Sequence, residues 1–291
     1  MQRQYLLLFI FGISVALMSC KKTEVASVLG NQAPPDHTIE NDVYENYITK
    51  TYILVLGREP DSTEFHAAMD ILKTAGLSDS SRQVFLDDVF SDPGYKHRQY
   101  QKWNSELMNN LDTSEISFFL YLFDLQLSDT TYQFAWPALQ YEKDRLLALQ
   151  PAGNLFVSGA ISLPELQSRM LNSYFYDQIN MGALNFVVVS FRQLLHRNAT
   201  DQEKSAGVSM VGGNSAVLLL QSGTGKDDYL NILTHSDDYY EGAIVRLYND
   251  FLFRDPESLE MSVAAIRYRD TGDYEQAQKD ILSTNEFIGI K

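Results

Sequence analysis

The sequence predicts an all-α body of paired and stacked helices, and two observations carry that expectation. From Asn41 onward apolar residues return at three- and four-residue steps, the spacing of one helix face. A segment built around a Leu-x-Arg step also recurs three times without gaps, and helical units of this kind bury an apolar face only by stacking or pairing. Strand-like alternation is absent. Val187, Val188 and Val189 are the one β-branched cluster and lie inside a longer helical period.

Residues 1–19 are set apart by composition. Arg3 precedes an apolar run from Tyr5 to Met18, and Ser19 and Cys20 follow. A basic start, an apolar stretch and a small residue before a cut form a secretory signal, and the run is short of the roughly 20 residues a membrane span needs. Leu17-Met18-Ser19-Cys20 resembles the bacterial lipobox. That resemblance implies cleavage after Ser19, acylation of Cys20, and a protein lipid-anchored in the bacterial cell envelope, at the outer membrane and facing periplasm or surface. Cys20 is the only cysteine, so no disulfide is expected.

The chain has 38 acidic and 23 basic residues, a net charge of −15, and the signal carries one of the bases and none of the acids. Such a surface repels nucleic acid, whose phosphates need Lys and Arg, and anionic lipid head groups. Membrane attachment is therefore expected through the lipid at Cys20 alone.

Residues 20–40, with Pro34-Pro35 and no clear period, read as the lipidated Cys and a flexible tether. The body divides into a helical repeat over 41–112, a degenerate unit over 113–180, and further repeats over 181–240 and 241–291. Capping boxes mark helix starts at Asp112 with Glu115, Ser162 with Glu165, and Thr200 with Glu203. Gly76 and Gly272 fall where a helix ends in a left-handed residue.

The repeat reads aromatic, x3, Leu, x, Arg, x, Pro or Ala, x3, Glu. It runs from Tyr52 through Arg58 to Glu64, from Phe191 through Arg197 to Glu203, and from Tyr248 through Arg254 to Glu260. Ile48, Val187 and Ile244 coincide upstream, as do Val55, Leu194 and Phe251. Each unit closes on a short polar residue with an aromatic three later: Asp92 and Tyr95, Ser236 and Tyr239, Thr284 and Phe287. Ser173 with Tyr176 supplies the same ending in the degenerate unit, which lacks the Arg. At these residues the chain resembles the helical domains of unknown function related to phycobilisome linkers, found in bacterial secreted and surface proteins. The middle unit departs from that pattern, with Ala199 for Pro and His196 beside the Arg. Linker function does not carry over.

The three Arg–Glu pairs are the charged residues that stand out. A repeated Arg could fork onto an anionic ligand. Recurrence in three units points instead to a brace, with Arg at one helix's C-terminal end and Glu opening the next. His37, His66, His97, His196 and His235 form no i, i+4 ligand pair, and no metal or cofactor is expected. Gly223-Thr224-Gly225-Lys226 lacks the earlier glycine of a phosphate loop, Asp227 follows the Lys, and no strand is expected before it. The aromatics Tyr52, Phe191 and Tyr248 fall on the apolar stripe and belong to the core. The stretch holding Tyr132, Trp136 and Tyr141 is the candidate for contact with a partner.

The role these features support is a non-catalytic scaffold or accessory subunit with an envelope protein as partner. A carbohydrate-binding surface lipoprotein is the alternative, with glycan as ligand. A hydrolase with paired carboxylates is third. Replacing Cys20 by Ala should move the full-length protein from the membrane to the soluble fraction, because no other segment grips a bilayer. Retention on membranes in high salt would contradict the anchor.

Overall fold

The computed structural model describes residues 37–290. The stretch read as a signal peptide, Cys20 and most of the stretch read as a tether lie outside these residues. Helix α1 spans His37–Leu56, so helix begins inside the stretch read as tether, once Pro35 is past and nothing opposes it.

The body is all-α. After α1 come α2 (Ser62–Thr74), α3 (Asp79–Ser91), α4 (Pro93–Met108) and α5 (Thr113–Ser128). A 3₁₀ turn over Thr130–Ala135 leads into α6 (Trp136–Leu149), α7 (Ala152–Val157), α8 (Leu163–Leu171) and α9 (Tyr174–Ile179). Then follow α10 (Ala183–Leu194), α11 (Asp201–Val211), α12 (Gly225–Thr234), α13 (Asp237–Leu252), α14 (Ser258–Thr271), α15 (Tyr274–Leu282) and α16 (Asn285–Ile288). Among the described residues no helix is long and apolar enough to cross a membrane.

One element departs from the expected pattern. Between α11 and α12 an antiparallel hairpin pairs β1 (Ser215–Leu218) with β2 (Gln221–Thr224), in a register that sets Ser215 opposite Thr224 and Leu218 opposite Gln221. Four residues per strand are too few to show a period of two, and the turn lacks the usual Asn-Gly signal. Leu219 and Leu220 take positive φ instead, 48° and 64°. Leu218 and the partly buried Leu219 tuck against the core, which holds the turn in a conformation branched-chain sequences rarely choose. Lys226 therefore does follow a strand. Even so, Asp227 and Asp228 occupy the first turn of α12, and Thr224 N donates to Asp228 at 2.7 Å. Acids already fill the place an anion would take.

The capping reading also needs correction. Thr200 with Glu203 is a full box, but Asp112 accepts from Ser114 N, and Ser162 accepts from Glu165 N without a returned bond. A full box appears instead at Asp61 with Glu64, and at Glu257 the Glu260 carboxylate accepts from the N-cap amide.

The equivalent apolar positions of the three repeats are buried: Ile48, Val187 and Ile244, then Val55, Leu194 and Phe251. The units meet around α4, whose Tyr95, Trp103, Leu107 and Met108 are buried. Arg246 of α13 forks onto Glu106 of α4 and lies 4.0 Å over the Trp103 ring. Gln193 of α10 donates to the Glu106 carbonyl at 3.3 Å, and Ser173 packs its hydroxyl on Met108. First and last units also touch: Lys50 donates to Phe287 O at 3.2 Å, and Arg82 to Ser283 O at 2.8 Å.

Gly242 marks the closest approach. A Cβ there would lie 2.6 Å from the Leu195 carbonyl carbon, so α13 rests on the end of α10 backbone to side-chain-free backbone. Ala would favour the helix by about 1 kcal/mol, but main chain cannot yield as a side chain does. Gly242→Ala should therefore lower stability by a net amount of about 1–3 kcal/mol in a denaturant melt, the scale of core overpacking. An unchanged or raised midpoint would show that the two helices can part freely.

Candidate functional site

The three repeat arginines sit in one geometry. Each follows a residue with left-handed backbone: Gly57 at φ 72°, His196 at 50° and Phe253 at 57°. That residue ends a long helix, α1, α10 or α13, and aims the next side chain back across the corner. Nη1 of Arg58 donates to Glu59 O at 3.2 Å, of Arg197 to Asn198 O at 3.1 Å, and of Arg254 to Asp255 O at 2.9 Å. Each guanidinium then grips the carboxylate six residues on with both terminal nitrogens: Arg58 to Glu64 at 2.6 and 2.6 Å, Arg197 to Glu203 at 2.9 and 2.5 Å, Arg254 to Glu260 at 2.8 and 2.8 Å. Those glutamates in turn accept from the N-cap amides of Asp61, Thr200 and Glu257, all at 2.7 Å.

A third partner closes each unit. Arg58 reaches Asp92 at 2.7 Å, Arg197 reaches Asp238, and Arg254 reaches Glu286 at 2.7 Å. All three acids stand at a helix start, of α4, α13 and α16. The short polar residues seen in the sequence are the caps of those helices: Ser236 accepts from Tyr239 N and Thr284 from Phe287 N, each at 3.2 Å. Asp92 caps α4 through Gly94 N and also meets Arg58, combining two roles that the other units divide between neighbours. One cation thus joins the C-terminal end of one helix to the N-terminal ends of two others, and every charge sits at the pole that favours it.

The ring beneath each Arg is the repeat aromatic. Tyr52, Phe191 and Tyr248 lie 5.5, 5.1 and 5.1 Å from the guanidinium carbon and are themselves buried. Burial, with Glu64 and Asp88 nearby, pushes the Tyr52 hydroxyl up to about 12. Hydrogen bonds donated to the carboxylates, Glu203 first, push the Arg197 guanidinium above its ordinary range, and the same holds for Arg58 through Glu64 and Arg254 through Glu286. The Arg197 hydrogen bonds draw Glu203 down to about 2, and Arg58 and Arg254 lower Glu64 and Glu260. The terminal nitrogens of all three arginines and both oxygens of Glu64, Glu203 and Glu260 are occupied from within the chain, which makes these corners braces.

The degenerate unit solves the same corner differently. Glu165 opens α8, and Arg169, one turn further along that helix, donates to Glu165 at 2.6 Å and back to Ala148 O at 3.1 Å. The cation comes from the helix that follows the corner rather than the one before it.

Tyr132, Trp136 and Tyr141 do not form one surface cluster of equal standing. Tyr132 and Tyr141 are exposed, whereas Trp136 is half-buried and donates Nε1 to Gln126 O at 3.3 Å. The outward face of α5 was not evident from sequence. Phe118, Tyr121 and Leu125 project from it while Ile116, Leu120 and Phe123 are buried, and at 100° per residue these are opposite sides of the helix. Helix α14 likewise exposes Leu259, Val263 and Ile266. Among the described residues no group of three His, Cys, Asp or Glu side chains could hold a metal ion. No protein-family model, curated protein or solved structure matches this chain.

The corners set an acid limit on stability. A carboxyl lowered in the folded protein stabilises it above its ordinary value of 4.5 and ceases to do so as pH falls toward its folded value. Thermal stability should therefore drop between about pH 4.5 and pH 2, and Glu203→Gln should flatten part of that drop. Arg58→Ala, Arg197→Ala and Arg254→Ala should each cost about 1–3 kcal/mol at neutral pH, where a charge-assisted fork is lost. Arg58, the most exposed at 43 %, should cost least. Equal melting of all three variants and the parent would remove the bracing role.

Proposed function

We propose that this protein is a lipoprotein of the bacterial cell envelope whose helical body serves as a non-catalytic scaffold or accessory subunit. The lipobox-like residues before Cys20 support the anchor, at the outer membrane and facing periplasm or surface. The observation that carries the scaffold reading is the apolar outer face of α5. Phe118, Tyr121 and Leu125 stand 56, 59 and 47 % exposed in a row at i, i+3 and i+7, a pattern that marks interaction sites in soluble bodies. Aromatic side chains in such a row make effective anchors at interfaces. Glu115 flanks the row on one side, and on the other Asp124 is already paired with Lys143 at 2.5 Å, so the partner that fits is an envelope protein with an apolar centre and a basic residue facing Glu115. The second row on α14, Leu259, Val263 and Ile266, gives the body another face to offer.

The two carboxylates at the cavity between α4, α7, α8 and α15 are engaged elsewhere, which argues against hydrolysis there. Asp273 caps α15 through Gln276 N at 2.8 Å, and Glu275 pairs with Lys279 at 2.8 Å. Neither has the freedom that an acid or a base needs.

Cross-linked membranes carrying full-length protein test the reading. Phe118→Asp combined with Tyr121→Asp should abolish capture of the partner, while Val84→Asp, a change at an equally exposed apolar residue on α3, should leave capture intact. Capture should also weaken as salt rises. A partner retained by the double variant would place the interface elsewhere.

A further inference from the structure

A cavity of about 360 Å³ lies between α6, α9, α10 and α12, away from the three Arg corners and from the outer face of α5. Its wall holds an unusual grouping for so acidic a chain: two buried cations that share one carboxylate. Arg145 of α6 and Lys226 of α12 keep only 5 and 9 % of their side chains exposed. Arg145 Nη2 donates to Asp177 at 2.8 Å and to Glu142 at 2.6 Å, and Lys226 Nζ donates to the other Asp177 oxygen at 2.6 Å.

Counting donors shows what is left over. Arg145 uses one of its three nitrogens among the described residues, and its Nε is buried with no partner. Lys226 uses one of three protons on a protein oxygen and rests 4.4 Å over the Phe186 ring. Burial lowers the Lys226 ammonium below its ordinary range, while Asp177 works to hold the charge. For Arg145 burial likewise opposes the charge, and Asp177 and Glu142 more than offset it. These are charges kept out of water with fewer acceptors than they can use, a costly state that a ligand oxygen would relieve.

The remaining wall chooses among anions. Asp177 sits at the centre and would repel a doubly charged phosphate, yet its free lone pairs can accept from hydroxyl groups. Asn180, buried beside it, donates to Tyr176 O at 3.3 Å and leaves its amide oxygen without a protein donor. Tyr141 adds an aromatic ring, 43 % exposed, with the Arg145 guanidinium 4.9 Å from its centre. Surplus donors on two cations, acceptors for hydroxyls and a ring for an apolar face together describe one class of molecule. We infer that this cavity binds an acidic sugar residue, its carboxylate on Arg145 and Lys226, its hydroxyls on Asp177 and Asn180, and its ring against Tyr141.

The inference does not rest on the scaffold reading, since it uses none of the α5 face, and each can fail alone. Isothermal titration of the full-length protein in detergent with galacturonate, glucuronate, galactose and inorganic phosphate tests it. At least one uronate should bind about tenfold or more tighter than galactose and than phosphate, the scale of one charge-assisted contact. Tyr141→Ala and Lys226→Met should each weaken uronate binding about tenfold, and Lys226→Met, which removes only the partner of the carboxylate, should do so with galactose binding unchanged. Should Lys226→Met fail to fold, Tyr141→Ala, at an exposed position, still decides the matter. Absence of uronate binding at millimolar concentration, equal binding of phosphate, equal binding of galactose, or full binding by Tyr141→Ala would each overturn the assignment.

Discussion

A guanidinium has five protons fixed in one plane, and at each corner of this protein that plane is asked to hold three helix ends together. At Arg197 and Arg254 the carbonyl of the following residue takes one proton, the glutamate of the next helix takes two, and an acid at the start of a later helix takes the last two, whereas at Arg58 that acid takes one. Lysine could not do this, because a point charge has no fork to hold two carboxylates at a fixed angle. The left-handed residue before the Arg is part of the same requirement, since only that backbone turn carries the side chain over the corner. The packing of the repeats follows. With three ends pinned, the apolar stripes of the helices between them have little choice of partner.

The path between the pinned ends is less constrained than the ends. From Arg to closing acid the chain takes 34 residues in the first repeat, 41 in the second and 32 in the third. The extra length of the second accommodates the β hairpin, which stands where the other repeats use a short turn. Insertion there is tolerated because hairpin residues pack against α11 and α12 and leave the corner untouched. At the centre the units meet through charge as well as apolar surface. The Arg246–Glu106 pair is largely buried, and such a pair fixes a unique arrangement better than it adds stability. The stacked Trp103 ring and the Gln193 amide specify which faces meet.

Helical content, the repeat frame and the Arg–Glu pairs were legible in the sequence because each lies within a few residues along the chain. The closing acids were not. They sit at variable distance, and in the first repeat the acid has moved from two residues after the cap to the cap itself, Asp92 with Gly94 beyond it. An acid within two residues of a short polar residue, just before the closing aromatic, is the signal that could have found them. Left-handed corner residues were hidden for a related reason: Gly57 announces itself, whereas His196 and Phe253 adopt the same backbone without the glycine. The hairpin escaped notice because Leu219-Leu220 runs against local turn preferences and is held by the burial of Leu218 and part of Leu219, with Leu220 exposed. The Arg145, Asp177 and Lys226 grouping draws on three separate helices, so no spacing along the chain could show it.

That each Arg couples to its own two carboxylates, and to no other corner, is the account's central claim. A double-mutant cycle between Arg197→Ala and Asp238→Ala, set beside one between Arg197→Ala and Arg254→Ala, measures it directly. The first pair should show a coupling of about 0.5–3 kcal/mol in denaturant unfolding, as expected of residues that share a network, and the second should be additive within about 0.5 kcal/mol. Additivity between Arg197 and Asp238 would contradict the brace, since two groups that hold the same three helix ends cannot be lost independently.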